Sequence, residues 1–223
     1  MINFQDDFSR RQFGRLLGAG MTVAVLPVNA HAEDAHLPRH VADAGDSPGI
    51  IDVDGHFPDL AFKMERVSDG KIVTANAYRG DAVIVYFGFT RCTDTCPLTT
   101  LNAARLFDLL GKEKARTRFL FVTVDLDYDT PKRLKDYLAK FGPPPYIDGL
   151  YGTPAELGAF AKRYGVYFRA PTGSTSPDPV SAIRHSGAVY LFGPHGQAQA
   201  IINDLGGAHP HLHALAGRIK EML

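Results

Sequence analysis

Hydrophobic positions in this chain fall into short runs and helical stripes. Residues 81–89 read Asp-Ala-Val-Ile-Val-Tyr-Phe-Gly-Phe, an almost unbroken apolar run rich in β-branched and aromatic side chains. That pattern predicts a strand buried on both faces. Residues 119–125, Phe-Leu-Phe-Val-Thr-Val-Asp, predict a second. Between them Pro97 suits a first helical turn, and Leu98, Leu101 and Phe107 carry a helix to about Gly111. Asp129 or Thr130 can cap a helix that starts at Pro131, has Leu134, Tyr137, Leu138 and Phe141 on one stripe, and stops at Gly142. Thr153-Pro-Ala-Glu156 is a capping box, and Leu157, Phe160 and Tyr164 give its helix an apolar face ending at Gly165. Residues 171–179 are a loop by composition. Residues 187–192 and 199–202 predict a hairpin around Gly193-Pro-His-Gly196, and a helix from about Pro210 to Met222 closes the chain. The order strand, helix, strand, helix, helix, hairpin, helix predicts an α/β layered domain with a mixed sheet.

The first residues follow a different pattern. Arg10 and Arg11, with Phe13 close behind, precede an apolar run over residues 16–28, and Ala30-His-Ala32 gives a small-x-small cleavage site. The run is about 13 residues, short of the roughly 20 that a membrane span needs. Residues 1–32 therefore read as a twin-arginine signal peptide, which places the mature protein in the periplasm, with no span unless the signal stays uncleaved as an anchor. Residues 33–48 read as a flexible leader in which His36 and His40 are solvated, and residues 49–223 as the folded domain.

Charge narrows the partners. Lysine plus arginine equals aspartate plus glutamate at 24 each, so no basic field draws in nucleic acid or anionic lipid. The chain has 223 residues, enough for a core that needs no disulfide support.

Yet its only two cysteines, Cys92 and Cys96, stand four apart where the first long strand hands over to a helix. A disulfide staple, a redox couple and a soft-metal clamp all suit that spacing. As a staple the pair would close too small a loop to remove much chain entropy. At a helix start the two share a face, and the helix N-terminus favours thiolate. Two thiolates select soft metals, Cu(I) and Zn(II) foremost. His185, at the entrance of the strand after the proline- and serine-rich loop, is the best-placed candidate for a third ligand, or else an idle histidine at a strand entrance. Structural zinc wants four closed positions, so a Cys2His set fits copper better, as Cu(I) or as Cu(II) with water or a carboxylate added. Arg91 and Arg184 either offset the charge of such a centre or point to solvent. His209 and His213, with His211 between them, could share a face at the start of the last helix; they read as a surface cap region with accessory metal binding as the alternative.

Taken together, Val85-Tyr-Phe-Gly-Phe-Thr-Arg-Cys-Thr-Asp-Thr-Cys-Pro97, Val124-Asp-Leu-Asp-Tyr-Asp-Thr-Pro131 and His185-Ser186 resemble the Sco/SenC family over roughly residues 49–223. Asp69-Gly-Lys and Tyr78-Arg-Gly fit as well. The resemblance implies a thioredoxin-like fold: a central mixed sheet flanked by helices, with an inserted loop and a C-terminal hairpin plus helix. It implies that Cys92, Cys96 and His185 ligate copper, that the two cysteines form a reversible dithiol/disulfide, and that the client is a cytochrome c oxidase copper site or its assembly factors. Asp125, Asp129 and Pro131 match the family's second motif, with a turn-and-cap role for Asp125 favoured over a metal role. Thr93, Arg184 and Leu126 depart from it, standing where relatives have proline, aspartate and proline. The functional expectation is a copper metallochaperone; thiol–disulfide oxidoreductase activity at Cys92 and Cys96, or a copper or redox sensor, are the alternatives.

Overall fold

The computed structural model describes residues 49–169 and 183–223. The expected signal peptide, the leader with His36 and His40, the 171–179 loop and the side chain of Arg184 lie outside the described residues. Among the described residues no helix is long and apolar enough to cross a membrane.

The two apolar runs become β4 (Ala82–Gly88) and β5 (Thr117–Thr123), paired in parallel at the centre of the sheet. Every residue of β4 is buried, as its uninterrupted apolar run requires. Three shorter strands precede them: β1 (Ile50–Asp52), β2 (Lys63–Arg66) and β3 (Lys71–Thr74). Then come β6 (Ile147–Tyr151), β9 (Val189–Phe192) and β10 (Ala198–Ile202). The eight strands form one sheet in the order β1-β10-β9-β4-β5-β6-β2-β3. β4, β5 and β6 run parallel, and the remaining pairings are antiparallel. The sheet is therefore mixed, as expected, and β9–β10 is the expected hairpin. A separate two-stranded ladder joins β7 (Phe168–Arg169) to β8 (Arg184–His185), with Phe168 opposite His185.

The helices are α1 (Thr95–Leu110), α2 (Pro131–Leu138), α3 (Pro154–Arg163) and α4 (Leu212–Met222). The capping box of α3 is present in both directions between Thr153 and Glu156. Thr130 caps α2, its hydroxyl accepting from the Arg133 amide. α2 ends at Leu138, short of Gly142, because Pro143, Pro144 and Pro145 follow and the chain closes a tighter last turn instead. α4 begins at Leu212, two residues later than expected. α1 packs against α4, and the buried Asn102 side chain of α1 donates to the carbonyls of Leu205 and Gly207 ahead of α4.

Four strands of the sheet escaped the pattern, as did the short β7–β8 ladder. β6 reads Ile-Asp-Gly-Leu-Tyr, with a carboxylate and a glycine in a central position. Asp148 is tolerated because the Ser68 hydroxyl, the Ser68 amide and the Gly149 amide all donate to it. Gly149 is required because an added Cβ would sit 2.7 Å from Leu134 Cδ2 and 2.8 Å from Val67 Cγ2. β1, β2 and β3 lie at or near the sheet edges, where half-exposed strands need no apolar run.

Candidate metal centre

β4 delivers the chain to the carboxyl edge of the sheet, and the turn after it carries both cysteines. In α/β sheets this edge is where sites are assembled. An aspartate reached from the β5 side holds that turn. Asp129, fully buried, accepts hydrogen bonds from the Thr90 amide (3.0 Å), the Thr90 hydroxyl and the Thr123 hydroxyl (2.5 Å). Burial pushes its carboxyl up while these three donors oppose the shift. Asp129 was expected at most to cap α2; its work is to tie the residue two before Cys92 to the end of β5.

Beside it Asp125 receives both arms of Arg91, at 2.6 Å and 3.2 Å. Its side chain is only 3% exposed, so Arg91 is spent on that carboxylate and does not point to solvent. Arg91 also lies over the Tyr128 ring at 4.7 Å, with Arg133 over the same ring at 4.6 Å. The Asp125 carbonyl accepts from the amides of Tyr128 and Asp129, the turn role the sequence favoured.

The start of α1 has no side-chain cap from Asp94. The half-buried Cys92 sulfur is there instead, next to Cys96 and the Cys96 and Asp94 amides. Its pKa is lowered to about 5, first by the Cys96 hydrogen bond, then by those two amides and the nearby His185. Cys96 has no exposure, and its thiol is pushed well above the ordinary range by the hydrogen bond to Cys92 and by burial. Both cysteines are free thiols. The two sulfurs thus divide the work: one an accessible thiolate, the other a buried thiol.

His185 folds back to this pair. Its Nε2 lies 3.8 Å from Cys96 Sγ. Its Nδ1–H donates to the Ser186 carbonyl at 2.9 Å, which leaves the Nε2 lone pair facing the sulfur. Phe89 at 5.6 Å and Tyr86 at 6.1 Å hold the imidazole edge-on between them. Tyr86, fully buried in β4, donates its hydroxyl to Cys96 Sγ at 3.3 Å. No sequence pattern marks this contact, since a tyrosine inside an apolar run reads as core.

The structure thus sets His185 against Cys96, with Cys92 in the adjacent turn. Among the described residues, no three histidine, cysteine or carboxylate side chains stand as a ready-made cage. A soft ion would have to be gathered from the facing Cys96–His185 pair with Cys92 turned in from the adjacent turn. Among the described residues, the histidines near α4 do not join. His209 lies before α4 rather than on its face; it and His213 line a cavity of about 400 Å³ that Arg105, a cation, also lines. His211 is turned to Asp204, its Nδ1 donating to the carboxylate at 2.7 Å.

Comparison with known proteins agrees with this architecture. The chain is similar to Protein SCO2, mitochondrial, of Saccharomyces cerevisiae, 35% identical over 158 residues that make up 70% of this chain and 49% of that protein. It is similar to Protein SenC of Rhodobacter capsulatus, 28% identical over 179 residues, 78% of this chain and 76% of that one. Among solved structures it superposes on Bradyrhizobium japonicum ScoI with copper bound at a TM-score of 0.62, with 28% identity, covering 74% of this chain and 99% of that chain. The matched stretch is about half the length of the yeast relative. The SCO1/SenC profile matches residues 62–220. That match takes in well over half of the chain, with Cys92, Cys96 and His185 all inside it, and the fold it implies is the one seen; the chain belongs to the SCO1/SenC family.

Proposed function

We propose that this protein is a copper carrier, binding copper through the Cys92 and Cys96 sulfurs and His185 Nε2 and handing it to a client copper site. The carrying observation is the 3.8 Å approach of His185 Nε2 to Cys96 Sγ, with Nδ1 committed to Ser186. Metal bonds of about 2.3 Å to sulfur and about 2.0 Å to imidazole span that separation at an angle of roughly 120°. Two thiolates and one imidazole are a soft donor set suited to copper in either valence. The related ScoI was solved with copper bound. The family's link to cytochrome c oxidase assembly makes an oxidase copper site, or an assembly factor for it, the client. Export by the twin-arginine route to the periplasm is part of the same reading, resting on residues 1–32 of the sequence.

The test is a Cu(II) titration of reduced protein followed by its sulfur-to-copper absorption band. His185→Ala is expected to weaken binding sharply while both thiols stay titratable. An unchanged titration removes His185 from the site.

A second reading, thiol–disulfide exchange with client cysteines, is favoured by one observation: the Cys92 thiolate, with its pKa lowered to about 5 beside a buried partner thiol. Its test is turnover of a disulfide substrate by metal-free protein.

A further inference from the structure

Tyr86 is a phenol where a phenylalanine would pack equally well. It has no solvent exposure, and its ring is held edge-on by Phe121 at 5.5 Å and stacked with Phe119 at 6.4 Å. A buried hydroxyl without a partner destabilises a core, so its presence in β4 needs an acceptor. The acceptor is Cys96 Sγ at 3.3 Å. The strand is shaped to allow this contact. A Cβ added at Gly88, on the same face of β4, would come within 2.8 Å of Tyr86 Cε1 and 2.7 Å of Phe121 Cζ. Glycine two residues on therefore makes room for the ring that reaches the sulfur.

We infer that Tyr86 is a positioning residue for the dithiol: its hydroxyl donates to the Cys96 sulfur and so sets both the strength of that sulfur as a metal donor and the ease with which the pair oxidises. The sulfurs are placed differently. Cys92 sits beside the start of α1, and Cys96 takes the phenol. Hydrogen bonds to a ligating sulfur withdraw electron density from it and tune the metal it holds. The same bond favours the reduced sulfur over the disulfide, in which the sulfur lone pairs are poorer acceptors. The copper half of this inference rests on the centre proposed above; the redox half stands without metal.

Tyr86→Phe keeps the ring and deletes the donor. Tyr78→Phe is the matched control. It also deletes a buried hydroxyl, one that has no hydrogen-bond partner among the described residues and lies before β4, at the opposite end of the strand from the cysteines. Metal-free wild type and both variants are equilibrated with glutathione and glutathione disulfide, so that dithiol plus glutathione disulfide gives protein disulfide plus two glutathiones. Tyr86→Phe is expected to raise that equilibrium constant about fivefold, the effect of one ordinary hydrogen bond, equivalent to roughly 20 mV. With Cu(II) added, its sulfur-to-copper band moves to longer wavelength, since the sulfur orbitals rise in energy once the donor is gone. Tyr78→Phe leaves both values at wild type. The inference is overturned if Tyr86→Phe matches wild type in the glutathione equilibrium, or if Tyr78→Phe shifts it equally, which would mark a packing effect. A wild-type protein that shows no copper band at all refutes the proposed centre, and the glutathione equilibrium then still decides the role of Tyr86.

Discussion

Removing the Asp129 carboxylate tests what holds the cysteine turn in place. Asp129→Ala deletes the acceptor for three donors, the Thr90 amide, the Thr90 hydroxyl and the Thr123 hydroxyl. Each buried donor left unpaired costs about 1–3 kcal/mol. Thr123 is only 1% exposed and loses the most, whereas Thr90 is half-buried and recovers part of its loss from water. The sum is about 3–5 kcal/mol, set against a domain stability of about 5–15 kcal/mol. The variant should therefore fold but melt about 10 °C or more below wild type. Urea denaturation of reduced, metal-free protein reads the loss directly, with an unchanged denaturant slope showing that the folded state is intact. Asp129→Asn retains one acceptor oxygen and should lose less than half as much. The control is Asp136→Ala, which breaks an exposed ion pair to Lys132 and should stay within about 0.5 kcal/mol of wild type. An Asp129→Ala loss below about 1 kcal/mol would refute the claim that this carboxylate anchors the turn.

Four further outcomes follow from the structure. The iodoacetamide rate at Cys92 should stay level from about pH 8 to 6.5 and fall tenfold per unit below about pH 5, where an ordinary thiol would already be falling from about 8.5. Because the folded value of about 5 lies below the ordinary 9.0, the Cys92 charge stabilises the fold fully above pH 9 and loses that contribution as pH drops to about 5; thermal melts of reduced protein across this window check the sign. Arg91→Ala strands the Asp125 carboxylate, 3% exposed, and should cost about 2–3 kcal/mol by urea denaturation, less than a fully buried pair because Arg91 is partly open to water. Gly149→Ala forces a Cβ against Leu134 and Val67 and should cost about 1–3 kcal/mol, measured the same way.

Much of the frame was legible because it was written in long patterns. The β4 and β5 runs, the Thr153–Glu156 box and the β9–β10 hairpin each carry a signal within a handful of neighbours. β6 carried none, since Asp148 and Gly149 make sense only against Ser68, Leu134 and Val67, residues distant in sequence. The same limit applies at the site. The spacing of Cys92 and Cys96 and the position of His185 pointed to a shared centre, and the structure sets His185 Nε2 against Cys96 Sγ. The anchoring by Asp129 and the Tyr86 hydroxyl bond were invisible, because an aspartate in a turn reads as a cap and a tyrosine in an apolar run reads as filler. Side-chain direction across elements decides both, and no local pattern encodes it. The histidines near α4 show the converse: a spacing that suggests shared ligation, undone by Arg105 beside His209 and His213 and by Asp204 holding His211.

X-ray absorption on reduced protein loaded with one equivalent of Cu(I) reads the ligands of the proposed copper centre. A Cys92, Cys96 and His185 centre gives two sulfurs and one nitrogen around the copper with the outer scattering of an imidazole, the latter lost in His185→Ala. A shell built from sulfur alone, or from oxygen and nitrogen without sulfur, would contradict it.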